Sequence, residues 1–199
     1  LEFAKVLAYT LEEKDPYTSG HSERVCYYSD FISKRLSFPP KERNELQIAS
    51  YLHDIGKIGI SNRFINKKGT LTPTDWAIIK QHTKKSIELL IPLNLSPNIL
   101  AYIQHHHERY DGTGYPDGLT GEQIPLGARI IAISDSYDSM TSDRPYRKPL
   151  SNGEAKNELV KNAGKQFDPN LVSVFLDVLK EMEEVFLVKD HFRAPAVSY

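Results

Sequence analysis

Apolar residues recur every three to four positions along most of the chain, and the strict alternation typical of strands is scarce. A period of this kind places apolar side chains on one face of an α-helix. The predicted helices cover about 3–13, 21–36, 73–90, 97–107, 126–139, 151–163 and 168–188. Another predicted helix carries the residues from Leu46 to His53 and ends near Gly56. The predicted fold class is therefore all-α, a single helical bundle.

Capping residues support several of these helix starts. Thr18 or Ser19 can cap the helix that begins at His21, and Ser151 with Glu154 forms a capping pair for a later helix. The segment Thr72-Pro73-Thr74-Asp75 combines a cap with a proline suited to the first helical position. That helix is predicted to run unbroken to about Leu90. Residues 62–71 are expected to form a loop or a short helix.

Composition narrows the function classes. The formal net charge is -1 over 199 residues, so no basic excess favours a nucleic-acid polymer or an anionic membrane. No apolar run approaches the roughly 18 residues that a membrane span needs, and no signal peptide is recognisable. The single cysteine, Cys26, fits a reducing compartment and is expected to be a buried small hydrophobe. We expect a cytoplasmic domain, excised from a longer protein because the chain begins with Leu1.

Histidines are concentrated in one part of the chain, and two aspartates join them in a pattern typical of metal ligands. Six of the seven histidines fall between His21 and His107. Imidazole and carboxylate hold divalent ions in hydrolytic sites, and five imidazoles with two carboxylates exceed the needs of one tetrahedral ion. They suit two ions that share a bridging carboxylate. The candidate ligands are His21, His53, Asp54, His82, His106, His107 and Asp135.

The pair His53-Asp54 carries the bridging prediction. Adjacent residues of a helix point about 100° apart, so one ion can take the imidazole and one carboxylate oxygen while the other oxygen serves a second ion. Lys57 lies four residues after His53, on the same helical face, where it can approach a phosphate or a metal-bound hydroxide. His105 points about 200° from His107 and is expected to be structural or to support the ligands. His191 is assigned no function.

Two cationic loops follow candidate ligands. The first is a polar, glycine-rich segment over 108–124 with Arg109 and Tyr115, and the second carries Arg144 and Arg147. Glycine and proline in such segments often do no more than form turns. Arginine pairs with phosphate through two parallel hydrogen bonds, so loops of this kind beside a two-metal centre suit a phosphate ester.

Four motifs together resemble the HD-GYP family, a subgroup of the HD-domain phosphohydrolases. They are His53-Asp54-Ile55-Gly56-Lys57, His106-His107-Glu108-Arg109, Asp111-Gly112-Thr113-Gly114-Tyr115-Pro116 and Ser142-Asp143-Arg144-Pro145-Tyr146-Arg147. The resemblance runs from about Asp15 to Leu171. It implies one catalytic domain over 1–199, with a core of about 15–171, a leading helix over 1–14 and a C-terminal helix and tail over 172–199.

The resemblance also assigns roles to residues. One ion would be held by His21, His53, Asp54 and Asp135, and the other by Asp54, His82, His106 and His107. Lys57 matches the lysine near the substrate phosphate, Arg144 and Arg147 match substrate-binding positions, and Tyr115 is the tyrosine of the GYP motif. With Arg109 of the first cationic loop, these are the residues expected to bind the substrate. Glu108, Asp111 and Asp138 would orient the loop and the ligands. His53, Asp54 and Lys57 are the residues expected to carry catalysis.

The family resemblance implies hydrolysis of cyclic di-GMP to linear pGpG and often onward to GMP, in bacterial second-messenger signalling; whether hydrolysis stops at pGpG is left open. We expect attack on phosphorus by a hydroxide that bridges two divalent ions. Iron and manganese are the family's usual ions, and Zn, Ni, Co or Mg would accept the same ligands. Some members hold a third ion with a glutamate four residues before the first histidine. That position is Tyr17 here, so two ions are expected.

Three alternatives stay open. The substrate could be another cyclic dinucleotide such as cyclic GMP-AMP, because the same metal site would serve it. The chain could instead be a non-catalytic module that binds a cyclic dinucleotide or a diguanylate cyclase domain, or a structural bundle with incidental histidines. Further expected partners are an upstream sensor or receiver domain and a second copy of the chain in a homodimer.

Overall fold

The structure, a computed structural model, describes residues 1–13, 19–65, 67, 69–143 and 148–192, with side chains as far as Glu184. Ten α-helices lie within these residues. They are α1 (Glu2–Glu12), α2 (His21–Arg35), α3 (Pro40–Leu52), α4 (Asn62–Ile65), α5 (Pro73–Ile79), α6 (His82–Leu90), α7 (Pro97–His105), α8 (Leu126–Thr141), α9 (Asn152–Lys161) and α10 (Pro169–Phe192). Short 3₁₀ helices cover Ile55–Gly59, Ile91–Leu93 and Gly121–Gln123. No strand forms among the described residues, which confirms the predicted all-α fold.

Helix α2 lies at the centre of the bundle and packs against α3, α8 and α10. Val25 and Ile32 of α2 are fully buried. Tyr28 forms edge-on ring contacts with Tyr137 of α8 and Phe175 of α10, at centroid distances of 5.3 and 5.7 Å. These contacts fix the relative positions of the helices that carry His21 and Asp135.

Two predicted caps are confirmed. Thr72 and Asp75 form a reciprocal capping box at the start of α5, and Ser151 and Glu154 form another at the start of α9. The start of α2 is capped differently, because the carboxylate of Glu12 accepts hydrogen bonds from the backbone N–H groups of Gly20 and Ser22, at 2.7 and 2.8 Å. The prediction of a cap from Ser19 was wrong, and Thr18 lies outside the described residues.

Two predicted helix boundaries were also wrong. The unbroken helix expected from Pro73 to Leu90 is divided at Lys80 and Gln81, where the N–H of Gln81 bonds to the carbonyl of Ile78, three residues back. This tighter turn reorients the chain, so His82 opens α6 instead of lying in mid-helix. Helix α3 ends at Leu52, earlier than the expected end near Gly56.

None of the helices in the described part of the chain combines the length and the apolar character that a membrane span requires.

Candidate metal centre

The chain leaves helical geometry at Asp54, directly after α3. Its backbone angles are φ −100° and ψ 3°, and its carbonyl accepts a hydrogen bond from the N–H of Lys57 at 2.9 Å. Lys57 therefore lies on a 3₁₀ turn, where its ammonium group contacts Oδ2 of Asp54. The expectation that Lys57 shares an α-helical face with His53 was wrong, because the α-helix has already ended.

Gly56 brings this turn against α6. A Cβ atom at position 56 would lie 2.0 Å from the carbonyl oxygen of His82 and 2.6 Å from the backbone nitrogen of Ser86. Only glycine fits so close an approach. The N–H of Gly56 also donates to Oγ of Ser86 at 2.9 Å. The sequence thus places Asp54 next to the first residue of α6.

Four side chains from three segments converge beside this contact. Asp54, His82, His106 and His107 each offer one ligand atom within 4.8 Å of the others. Nε2 of His82 lies 3.5 Å from Oδ1 of Asp54. The turn directly after α7 supplies the two adjacent histidines.

A second group shares Asp54. His21, His53 and Asp54 also offer ligand atoms within 4.8 Å of one another, and Nε2 of His53 lies 3.5 Å from Oδ2 of Asp54. Asp135 lies beside this group, with its Oδ1 atom 3.3 Å from Nε2 of His21. The two carboxylate oxygens of Asp54 therefore face different groups: Oδ1 lies beside His82 of the first group, and Oδ2 lies beside His53 of the second.

Backbone carbonyls set the orientation of three of the imidazoles. Nδ1 of His53 donates to the carbonyl of Ser50 at 2.8 Å. The Nδ1 atoms of His82 and His106 make the same bond to the residue three positions back, both at 2.7 Å. A carbonyl oxygen only accepts, so each Nδ1 carries the proton and each Nε2 keeps its lone pair. This is the form in which histidine binds a metal.

Burial and charge determine the protonation states of the metal-free centre. Burial lowers the pKa of His82 and His106, and it lowers that of His107 to about 3, so these imidazoles are neutral at pH 7. Burial opposes ionisation of Asp54, but Lys57 and the surrounding imidazoles hold the Asp54 pKa well below its usual range. Neutral imidazoles around an ionised carboxylate form the state that a cation needs.

His21 differs from the other imidazoles because two carboxylates flank it. Burial disfavours the charged ring, but hydrogen bonds from His21 to Asp135 and Asp138 outweigh this cost and raise the His21 pKa to about 9. Arg24, one turn later, donates to Asp138 at 2.5 Å and thereby fixes the carboxylate that orients His21. Sequence reasoning missed Arg24, although its position on the same helical face was a usable signal.

Hydrogen bonding provides a test of whether these residues fit metal ions. Four buried side-chain atoms of the centre have no hydrogen-bond partner within the described chain: Nε2 of His53, Oδ1 of Asp54, Nε2 of His82 and Nε2 of His106. Buried polar atoms are nearly always paired, so this concentration of unpaired lone pairs points to cations as their partners. Imidazole nitrogen and carboxylate oxygen are donors suited to divalent first-row metals.

Residues 108–120, which we name the Tyr115 loop, cover one side of the centre. The ring of Tyr115 stacks on that of His107 at a centroid distance of 4.9 Å. Burial, followed by the charges of Asp54 and Asp135, raises the Tyr115 pKa, so the phenol stays protonated. Gly114 is packed closely, since a Cβ atom there would lie 2.2 Å from the backbone nitrogen of Arg109.

The polar side chains of the Tyr115 loop mainly bind the loop itself. Arg109 donates to Asp111 at 3.1 Å and to Gln166 at 3.1 Å. Hydrogen bonds from Arg109 and Thr113 lower the Asp111 pKa to about 2. Glu108 accepts hydrogen bonds from the N–H groups of Asp117 and Gly118. As a phosphate ligand Arg109 stays a prediction, and in this structure its guanidinium group is turned towards Asp111.

A groove of about 650 Å³ opens beside the Tyr115 loop. Its lining residues are Leu71, Pro73, Trp76, Ala77 and Lys80. Trp76, the single tryptophan of the chain, is 46% exposed, although most large apolar residues are buried. The ammonium group of Lys80 lies 4.9 Å from the centre of the Tyr115 ring and links the groove to the histidines. Sequence reasoning did not single out Trp76 or Lys80.

Besides Thr18, three residues on which a prediction rests lie outside the described residues. They are Arg144 and Arg147 of the second cationic loop and Tyr17, on which the expected number of ions depends.

Comparison with known proteins places the chain in a family. A sequence model described as "HD domain" matches residues 5–171. A Thermotoga maritima protein named cyclic di-GMP phosphodiesterase is 39% identical over 93% of this chain and 51% of its own length. A Vibrio cholerae protein named 3'3'-cGAMP-specific phosphodiesterase 3 is 34% identical over 91% of this chain and 39% of its own. The chain thus spans about half or less of these relatives.

A solved structure supports the fold. The crystal structure of a Vibrio cholerae cyclic GMP-AMP-specific phosphodiesterase superposes with a TM-score of 0.73 at 22% sequence identity. The match covers 90% of this chain and 48% of that one. The helical arrangement described above is therefore one that a known phosphodiesterase shares.

Proposed function

The chain belongs to the HD-domain family, and from this premise we propose that it hydrolyses cyclic di-GMP, with linear pGpG or GMP as the product. The family match confirms the resemblance seen in the sequence motifs. One observation carries the proposal: Asp54 belongs to both groups of ligand atoms, as a carboxylate that bridges two ions would. The names of the relatives favour a cyclic dinucleotide as substrate.

We assign two divalent ions to the two groups. His21, His53, Asp54 and Asp135 would hold the first, and Asp54, His82, His106 and His107 would hold the second. Asp135 enters the first set through its contact with His21. Iron or manganese is the proposed metal, since mixed nitrogen and oxygen ligands suit both.

When bound, such ions supply an activated water and neutralise charge on the phosphoryl oxygens. The protein orients the ligands through the backbone bonds to Nδ1 of His53, His82 and His106. Lys57 lies at the edge of the same site, against Asp54, where its ammonium group can stabilise negative charge on a bound phosphate. No serine or cysteine nucleophile is required.

The groove at Trp76 supports a nucleotide substrate. It is lined by apolar side chains and one cation, and Lys80 connects it to the Tyr115 ring beside His107. An exposed indole is a suitable surface on which a guanine base can stack. We propose that one base of the substrate binds against Trp76. Arg144 and Arg147 stay proposed contacts of the phosphates.

Cyclic GMP-AMP is the second candidate substrate, favoured by the name of the Vibrio cholerae relative. The residues that bind the ions would be the same for both substrates, so the site does not separate them. Kinetics on cyclic di-GMP and 3'3'-cyclic GMP-AMP with one enzyme preparation would do so. A non-catalytic binding role would show as affinity for either nucleotide without turnover.

The deciding experiment measures turnover and metal content on the same sample. The purified protein would be tested as isolated and after anaerobic loading with Fe(II) or Mn(II). Linear pGpG or GMP with at least two ions per chain supports the proposal. Two ions without turnover of either nucleotide would reject the hydrolase, and absence of metal under every condition would reject the metal centre.

A further inference from the structure

A third group of ligand atoms lies at the end of α7 and shares no residue with the two groups around Asp54. His105, Glu108 and Asp117 each offer one ligand atom within 4.8 Å of the others. Nδ1 of His105 lies 3.8 Å from Oε1 of Glu108 and 3.6 Å from Oδ2 of Asp117. Gln104 also donates to Oδ2 of Asp117 at 3.1 Å and so holds this carboxylate towards α7.

Two of these ligand residues contain buried atoms without a hydrogen-bond partner. Within the described chain six buried side-chain nitrogen or oxygen atoms lack one, and four of the six belong to the metal centre. The other two are Nδ1 of His105 and Oε2 of Glu108. The carboxyl group of Glu108 is itself fully buried, with its other oxygen occupied by the N–H groups of Asp117 and Gly118. The unpaired buried atoms therefore occur in two places among the described residues. One is the candidate metal centre, and the other is the group of His105 and Glu108.

The distances favour a cation over an ion pair. Nδ1 of His105 lies 3.6 Å from Oδ2 of Asp117 and 3.8 Å from Oε1 of Glu108, the oxygen that the two N–H groups occupy, and both distances are too long for good hydrogen bonds. Two ligands of one tetrahedral ion, each about 2.1 Å from it, lie roughly 3.4 Å apart. The same spacing occurs at the metal centre, where Nε2 of His82 and Oδ1 of Asp54 are 3.5 Å apart.

We propose that His105, Glu108 and Asp117 bind a further divalent cation, which fastens the Tyr115 loop to the end of α7. One imidazole and two carboxylates suit Zn²⁺, Mn²⁺ or Fe²⁺ and balance the charge of the ion. Asp117 follows Tyr115 by two residues, and Tyr115 stacks on His107. The ion therefore positions the loop that covers the metal centre. Its binding is independent of the proposed function.

The test uses the full chain and Mn(II) alone as the probe. Equilibrium dialysis should find about three ions per wild-type chain, two at the centre and one at the new site. In Asp117→Asn the weakest-bound ion should be lost or bound at least about tenfold more weakly. Asp117 is exposed, so this change leaves the core intact. Glu122→Gln removes an exposed carboxylate just after the same loop and should bind like the wild type.

A second variant isolates the new site from the metal centre. Asp54→Asn combined with His82→Asn removes ligands of both central ions and should retain one ion, which the further change Asp117→Asn removes. Hydrogen exchange of residues 109–120 should slow on addition of Mn(II) in the variant with Asp54→Asn and His82→Asn, and should stay unchanged once Asp117→Asn is added. Equal metal content and equal exchange in wild type and Asp117→Asn would overturn the proposal. Neither readout requires turnover, so failure of the hydrolase proposal would remain a separate result.

Discussion

Nδ1 of His21 lies 2.7 Å from Oδ2 of Asp138, although 117 positions separate the two residues. The other oxygen of Asp138 accepts from Arg24. Asp138 thereby fixes the ring of His21 with Nε2 towards Asp135 and the centre. A carboxylate behind a histidine ligand strengthens and orients it, which makes Asp138 a positioning residue.

Replacement of Asp138 by Asn should weaken the ion held with His21 by about 10- to 100-fold while the second ion stays bound. The reason is that the amide is uncharged and no longer stabilises the orientation of the ring as strongly. Titration with Mn(II) measures both affinities. Asp177→Asn, at an exposed position of α10, serves as the control. Equal weakening of both ions would indicate a general structural defect instead.

Replacement of Asp54 by Ala should remove both central ions and abolish turnover, because Asp54 belongs to both groups of ligands. Asp135→Ala should remove only the ion held with His21 and leave the other. Metal analysis beside circular dichroism checks this, since the helical signal should persist in both variants. If Asp54→Ala retained one tightly bound central ion, the bridging role of this carboxylate would be wrong.

Local signals in the sequence predicted most of the fold. The capping boxes at Thr72 and Ser151 depend on residues three positions apart, so they can be read without tertiary structure. The break before His82 could not be predicted, because the helical period continues through it and only the packing of α6 against the turn at Gly56 requires the reorientation.

In the candidate site, too, some features could be predicted from local sequence and others depend on tertiary contacts. The sequence predicted which histidines and aspartates would meet, and the structure brings His53, Asp54 and His82 together. The supporting contacts of Arg24 and Glu12 were not predicted, since each joins segments whose spatial relation the motifs do not contain. Motifs identify ligands more readily than the residues that hold them in place.

Gly56→Ala should destabilise the protein by about 2–3 kcal/mol, because the new methyl group would overlap the backbone of α6. It should also weaken metal binding, since Asp54 and His82 would be forced apart. Gly153 in α9 is the matched control, as a Cβ atom there meets nothing within 4 Å. Gly153→Ala should leave stability equal or raise it slightly. Urea unfolding of both variants is the measurement, and equal midpoints would contradict the argument.

Asp30 predicts a pH dependence of stability that is separate from the metal centre. Burial opposes its ionisation, but Lys34 and Arg43, at 2.7 and 2.8 Å, lower the Asp30 pKa. A lowered pKa in the folded state stabilises the fold above the unfolded value of about 3.9, and this contribution is lost as pH falls through the folded pKa. Asp30→Asn should therefore cost about 1 kcal/mol at pH 7 and progressively less below about pH 4.

Urea unfolding of metal-free wild type and Asp30→Asn at pH 7, 5 and 3 would measure this difference. The gap between the two proteins should be equal at pH 7 and 5 and smaller at pH 3. A gap that is constant down to pH 3 would mean that Asp30 acts through its hydrogen bonds to Arg43 and Gln47 rather than through its charge.

Trp76→Ala should raise KM for cyclic di-GMP by about tenfold and leave metal content and kcat nearly unchanged. Stacking of one base on an aromatic ring contributes about 1–3 kcal/mol. None of the described residues that line the groove is a proposed metal ligand, so the change should leave the ions in place. Trp76→Phe keeps an aromatic face and should retain most of the affinity. Steady-state kinetics on the metal-loaded enzyme measures both constants.

Tyr27 offers the matched control, because its side chain is also 46% exposed but lies on α2, against Tyr28 and Phe31. Tyr27→Ala should leave KM unchanged. If Trp76→Ala also left KM unchanged, the base would not stack in this groove, and the substrate would have to approach the centre from another side of the Tyr115 loop. If instead kcat fell about tenfold and KM did not change, Trp76 would act on the geometry of the centre through Lys80 and Tyr115.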